Sequence, residues 1–164
     1  MEPIWNYIKN CKKSLFRFEG LQDYSTEDGD ELVKFFIETG VLKEHPNDSD
    51  EWWKDIKDKN KRGIITQRVR LVKKPLTDYT KMELVYLKEA RKYSGDDIRA
   101  IEENDFEKIA PNGLKDFYII DDQYVFEMEY GLKGKYLKSK MISNDKVDKY
   151  LDLKKKLFEY AKSF

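Results

Sequence analysis

Apolar and polar positions alternate most regularly between Lys115 and Tyr130. In KDFYIIDDQYVFEMEY, Phe117 and Ile119 fall on one side of an extended chain, Tyr118 and Ile120 on the other. Beyond Asp121 and Asp122, residues Tyr124, Phe126, Met128 and Tyr130 alternate with Val125, Glu127 and Glu129. A period of two marks a strand, and paired aspartates suit a chain reversal. The segment therefore predicts a β-hairpin with an acidic tip. SLFRFE, from Ser14 to the stop at Gly20, predicts another strand. IITQRVRLVKKP follows Arg62-Gly63, is rich in β-branched residues and ends at Pro75, which predicts a third. DDIRAI, from Asp96, is a short strand with Asp97 and Arg99 on one side and Ile98 and Ala100 on the other. KYLKSKMI, after Gly131 and Gly134, extends the hairpin into a three-stranded meander.

Helical periodicity fills the intervals. In STEDGDELVKFFIETG, Ser25 and Asp28 have capping-box spacing, Leu32, Phe35 and Phe36 share a face, and Gly40 ends the run. KEHPNDSD reads as a loop, after which Ser49 or Asp50 caps a helix carrying Trp52, Trp53 and Ile56. Thr77 and Gly95 bracket a long helix. Its stripe of Tyr79, Met82, Tyr86 and Tyr93 is expected in the core rather than at a ligand. An acidic loop containing Pro111-Asn112-Gly113 leads to the hairpin. Asn144 caps a final helix presenting Val147, Tyr150, Leu151, Leu157, Phe158 and Ala161 to the core. The order predicts an α+β fold: a mixed, largely antiparallel sheet with a C-terminal β-meander and helices packed on it, residues 1–164 forming a single domain.

Composition narrows the chemistry. The sole histidine, His45, precludes triads and histidine zinc sites, and the sole cysteine, Cys11, precludes an internal disulfide. There is no P-loop, dinucleotide fingerprint or CxxC motif. No apolar run approaches a membrane span and no signal peptide is evident, so a cytoplasmic protein without cofactor or bound metal is expected. Net charge is zero but unevenly spread. Residues 1–50 hold 6 basic and 11 acidic side chains, 51–92 hold 13 and 6, 94–130 hold 3 and 11, and 131–164 hold 10 and 4. Pairing of these blocks within the fold is the simplest expectation; segregation into binding faces is the other.

The arginines supply the leading candidate site. Arg68 and Arg70 alternate on one strand and face the same way. If Asp97 and Arg99, and Asp116 and Tyr118 of the hairpin, join that face, the six form an anion site, because guanidinium grips carboxylate and phosphate bidentately. Two other readings compete. Asp116, Asp121, Asp122, Glu127 and Glu129 would suit a Mg²⁺-dependent phosphodiesterase or nuclease if they converged, although Asp121 and Asp122 are ordinary turn residues. Lys133, Lys135, Lys138 and Lys140 around Tyr136 would suit nucleic-acid binding, or simply guard an edge strand.

The blocks RVRLVKKPLTDY, GDDIR and DFYIIDD, in that order, resemble a bacterial family of unknown function with the pattern RVRVV-x-x-PLSDY, GEDIR and DFWLFDD. The resemblance covers nearly the whole chain. Members are often encoded beside Xre-type helix-turn-helix regulators, which the resemblance implies as partners. The strand order and the Ile119-Ile120-Asp121 hairpin are similar to half of a phospholipase-D-like domain. That superfamily's His-x-Lys pair would fall on Leu114 and Asp116, or on Lys115 and Phe117, so this resemblance implies a catalytically degenerate version. The expected function is a non-enzymatic regulatory or interaction module, with a helix-turn-helix regulator or a small phosphorylated ligand as partner.

Overall fold

The structure, a computed structural model, describes residues 3–48 and 50–164. Its centre is a six-stranded sheet in the order β3-β2-β1-β4-β5-β6. The strands are β1 (Ser14–Glu19), β2 (Ile65–Val72), β3 (Asp97–Glu102), β4 (Phe117–Ile120), β5 (Tyr124–Tyr130) and β6 (Tyr136–Met141). β1, β2 and β3 run parallel, while β4 is antiparallel to β1 and continues through β5 and β6 as the meander. The sheet is thus mixed. Parallel neighbours need crossover connections, supplied here by α2 (Gly29–Thr39) with α3 (Glu51–Lys61), and by α4 (Asp78–Ser94). The remaining helices are α1 (Pro3–Lys9), α5 (Glu103–Ile109) and α6 (Val147–Tyr160).

The pleat divides the core in two. Phe16, Phe18, Val69, Leu71, Phe117, Ile119 and Val125 face α5 and α6, where Phe106, Leu153 and Leu157 complete one cluster. Leu15, Ile98, Tyr118, Ile120, Phe126 and Met128 face α1, α3 and α4, where Ile4, Trp53, Ile56, Leu87 and Ala90 complete the other. Burial of both faces explains why β4 is apolar throughout, and why β1 is buried at nearly every position although it carries Ser14, Arg17 and Glu19.

Several local signals act as their chemistry predicts. Asp121 and Asp122 adopt positive φ of 56° and 53° at the hairpin tip. Asp50 caps α3 by accepting from Trp52 N at 3.0 Å, and Thr77 caps α4 by accepting from Thr80 N at 3.1 Å. Ser49, the alternative cap for α3, lies outside the described residues. Other signals fail. The Ser25–Asp28 capping box does not form: α2 starts at Gly29, and Asp28 stands before it in the left-handed region with φ 59° and no side-chain cap. Helices α1 and α5 were not expected. Each is only seven residues long, and each is held by one or two apolar side chains, Ile4 and Ile8 in α1 and Phe106 in α5.

The alternating charge blocks meet across neighbouring strands. Lys73 and Lys74 at the end of β2 pair with Glu103 and Glu102, and Arg68 approaches Asp96. Lys138 on β6 faces Glu129 on β5, and Lys154 on α6 reaches Asp122 at 3.0 Å. Basic segments are therefore laid beside acidic ones by the strand order itself.

Candidate functional site

On the α1/α3/α4 side, the sheet does not pack flush against its helices. A cavity of about 540 Å³ separates them. Its floor is β1, β2 and β4, with Arg17, Glu19, Arg68 and Tyr118; its walls include Trp5, Tyr24, Trp52, Trp53, Tyr86 and Tyr130. Parallel pairing puts Arg17 opposite Arg68 and Glu19 opposite Arg70, and antiparallel pairing puts Arg17 opposite Tyr118. Three strands thus deliver two guanidiniums, a carboxylate and a phenol ring to one spot.

Glu19 lies between the two guanidiniums. Its Oε1 accepts from Arg68 Nη1 at 2.8 Å, and its Oε2 lies 3.4 Å from Arg17 Nη2. Burial opposes its ionisation, but Arg17, Arg68 and Arg70 outweigh burial and hold the carboxyl down at about 2. Burial likewise works against charge on Arg17, and Glu19 reverses this and raises the guanidinium's pKa well above its usual range. Both groups remain charged at neutral pH. The guanidiniums also lie against rings: Arg17 Cζ is 5.1 Å from the Tyr118 centroid, and Arg68 Cζ is 4.9 Å from that of Trp53.

Hydrogen bonding around the cavity is lopsided. Buried side-chain atoms without a partner among the described residues include Arg17 Nε, Arg68 Nε and Trp52 Nε1, all from cavity-lining residues and all N–H donors. Arg68 Nε is partly compensated by Asp96 Oδ2 at 3.7 Å. Buried donors are ordinarily satisfied. Elsewhere on the wall they are: Trp53 Nε1 donates to Tyr86 Oη at 3.1 Å, and Tyr86 Oη donates to Asp50 Oδ2 at 2.8 Å.

The six residues expected at an anion site are not all together. Arg68, Arg70, Asp116 and Tyr118 do share this face. Arg70 is fully buried, however, and spent on structure: its Nε donates to Glu83 at 2.5 Å, and its Nη1 donates to the carbonyls of Leu21 and Leu71. Asp116 is also buried, accepting from Gly20 N at 2.8 Å and from the Tyr24 hydroxyl. Burial pushes its carboxyl up, against the pull of those hydrogen bonds. Asp97 and Arg99 lie on the opposite face. Arg99 opposes Val69 in register, donates to Asp97 at 3.1 Å and covers the Phe158 ring of α6 at 3.8 Å. One residue of register separates Arg99 from the site, and a period of two converts that into the other side of the sheet.

Reading by sequence alone missed Arg17, Glu19, Tyr24 and Trp52. A signal for the first pair was present: Arg17 and Glu19 interrupt SLFRFE at alternate positions, where an ordinary interior strand would be apolar. Tyr79, Met82 and Tyr86 of the α4 stripe line the cavity as well as packing, because an aromatic wall and a core face obey the same helical period.

The hairpin carboxylates do not converge. Asp121 Oδ1 accepts from the backbone N–H groups of Lys12, Lys13 and Ser14, Asp122 pairs with Lys13 and Lys154, and Asp116 lies at the far end of β4. Among the described residues no cluster of three or more His, Cys, Asp or Glu side chains could hold a metal ion, and no helix is long and apolar enough to cross a membrane.

A family model described as "Domain of unknown function (DUF6879)" matches residues 2–164. No curated protein matches the sequence. Among solved structures, the chain is similar to TrmBL2, an archaeal chromatin protein reported to show a novel mode of DNA binding. The TM-score is 0.52 at 12% identity, over 97% of this chain and 48% of the other. The likeness is one of fold, and the chain spans about half the length of that protein.

Proposed function

The chain belongs to the family described as a domain of unknown function (DUF6879), and we propose that it is a non-enzymatic regulatory module whose cavity binds a small anionic ligand. The observation that carries this reading is Arg17: a charged guanidinium at the floor of a roughly ligand-sized cavity, with a buried Nε–H that has no acceptor among the described residues. Pockets of about 300–1,000 Å³ suit small molecules, and a few placed polar groups on apolar walls are their usual construction. The floor offers N–H donors and charged guanidiniums, which supports recognition of an anion.

The partner in this reading is a helix-turn-helix protein that contacts DNA while this domain reports ligand. Two things support it: the resemblance of the RVRLVKKPLTDY, GDDIR and DFYIIDD blocks to a family encoded beside such regulators, and the occurrence of a similar fold across about half of a chromatin protein described as binding DNA. Direct nucleic-acid binding by this domain is the weaker version, because Lys138 and Lys140 of β6 stand opposite Glu129 and Glu127, and Lys73 and Lys74 just after β2 pair with Glu103 and Glu102.

Calorimetric titration with a panel of small carboxylates and phosphates, each beside its neutral analogue, tests the central claim. The expected result is saturable binding of at least one anion that Arg17→Met abolishes and the neutral analogue does not reproduce. Anion binding that is indifferent to Arg17→Met would defeat it.

A further inference from the structure

Resting on the anion-binding reading above, we infer that the natural ligand is an aromatic monocarboxylate, its carboxylate held by Arg17 and Trp52 and its ring stacked in the aromatic walls.

Four observations select this class. The first is the donor set. On the cavity lining, the buried side-chain atoms without a partner among the described residues are N–H donors on Arg17, Trp52 and Arg68, so what the lining lacks is acceptors. The second is charge. At the floor, Arg17 and Arg68 face the single carboxylate of Glu19, and Glu83, also on the lining, is already spent on Arg70. Arg68 also lies 3.7 Å from the buried Asp96, so the floor can balance at most one negative charge on a ligand. The third is the rim. Glu27, Glu44 and Asp50 line the cavity with Lys43, whose ammonium is bound to Glu31 at 2.8 Å. A doubly charged phosphate entering past those carboxylates would be repelled more than a monoanion.

The fourth is the walls. Trp5, Tyr24, Trp52, Tyr86, Tyr130 and Tyr136 present ring surface to the cavity. Rings of this kind also form cages for cationic ligands, but here the protein's own guanidiniums already lie against Tyr118, Trp52 and Trp53. A second cation would sit beside Arg17 and Arg68. Rings stacking on rings, with a carboxylate directed to the floor, satisfy both halves of the cavity.

A matched series decides the class: naphthoate, naphthyl phosphate, naphthylmethylamine and cyclohexanecarboxylate, titrated calorimetrically into the full chain and into Arg17→Met and Trp52→Phe. Naphthoate is expected to bind tightest, with the other three weaker by about tenfold or more. Arg17→Met removes a charged hydrogen-bond donor and should weaken naphthoate at least about tenfold. Trp52→Phe keeps a ring but removes the N–H, and should weaken naphthoate by a few-fold; it also serves if Arg17→Met fails to fold. If naphthyl phosphate or cyclohexanecarboxylate binds as tightly as naphthoate, and Arg17→Met weakens it, the aromatic carboxylate class is overturned while anion binding stands. If no member binds in a manner that depends on Arg17 or Trp52, both fall.

Discussion

Arg17 and Arg68 are in-register partners on neighbouring parallel strands, and Glu19 is bound to both. Two like charges at adjacent sheet positions repel; the carboxylate makes the arrangement tenable. Glu19→Gln leaves Arg17 without its counter-charge and Arg68 with only Asp96 at 3.7 Å. Breaking a buried pair typically costs about 3–5 kcal/mol, and the loss here should sit toward the lower end because the Arg17 side chain is 20% exposed. Urea unfolding of the variant is expected to show this loss, and added naphthoate to restore part of it by supplying a carboxylate to the same guanidiniums.

The buried carboxyls titrate in opposite senses, which shapes stability against pH. Glu19 has a folded pKa of about 2, below the unfolded value of about 4.3. Its stabilisation is complete above the unfolded value and is lost as pH falls between the two. Asp116 is raised by burial, so the folded state binds its proton more tightly, and stability falls as pH rises from about 4 through the folded value. Asp116→Asn retains an acceptor for Gly20 N and removes the titration. The stability of the variant relative to the parent should therefore increase from about pH 4 to pH 7. A flat difference across urea titrations in that range would contradict the assignment.

Gly134 is the tightest backbone approach at the cavity. It has φ +72°, its carbonyl accepts from Ser25 N at 3.1 Å, and an added Cβ would meet Asp23 O at 2.1 Å. That approach fixes the loop bearing Tyr24, one of the cavity walls. Gly134→Ala is expected to cost about 1–3 kcal/mol through strain and displaced backbone, and to weaken ligand binding without removing any contacting side chain. Chemical denaturation and titration together check both effects.

Arg99 offers a contrast. Its guanidinium lies over Phe158 on the side of the sheet away from the cavity. Arg99→Ala should lower stability by about 0.5–2 kcal/mol, the value of a cation–π contact at intermediate exposure, and leave naphthoate affinity unchanged. Loss of affinity would place it back at the site.

The elements were legible where one period dominated. The hairpin, β2, α4 and α6 follow directly from alternation, helical spacing and end signals. α1 and α5 were not, because a seven-residue helix carries too few turns for periodicity and draws its stability from tertiary burial. That Arg68 and Tyr118 share a face was legible because each lies on a strongly patterned strand. Arg17 was not, since its meaning depends on β1 running parallel to β2 and antiparallel to β4. Asp97 and Arg99 were misplaced for the same reason: the sequence sets which residues share a side within a strand, while the register between strands sets which side that is.

The central position of β1 also governs how the chain acquires its structure. β1 is flanked by β2 and β4, and the bond between Gly20 and Asp116 spans 96 positions. β1 therefore waits for its second neighbour until β4, about a hundred residues later, has been synthesised. Contacts of such high sequence separation slow folding, since chain entropy is lost before they form. Until β4 arrives, Phe16 and Phe18 occupy an open sheet edge, and a growing chain of this kind is a natural client for chaperones.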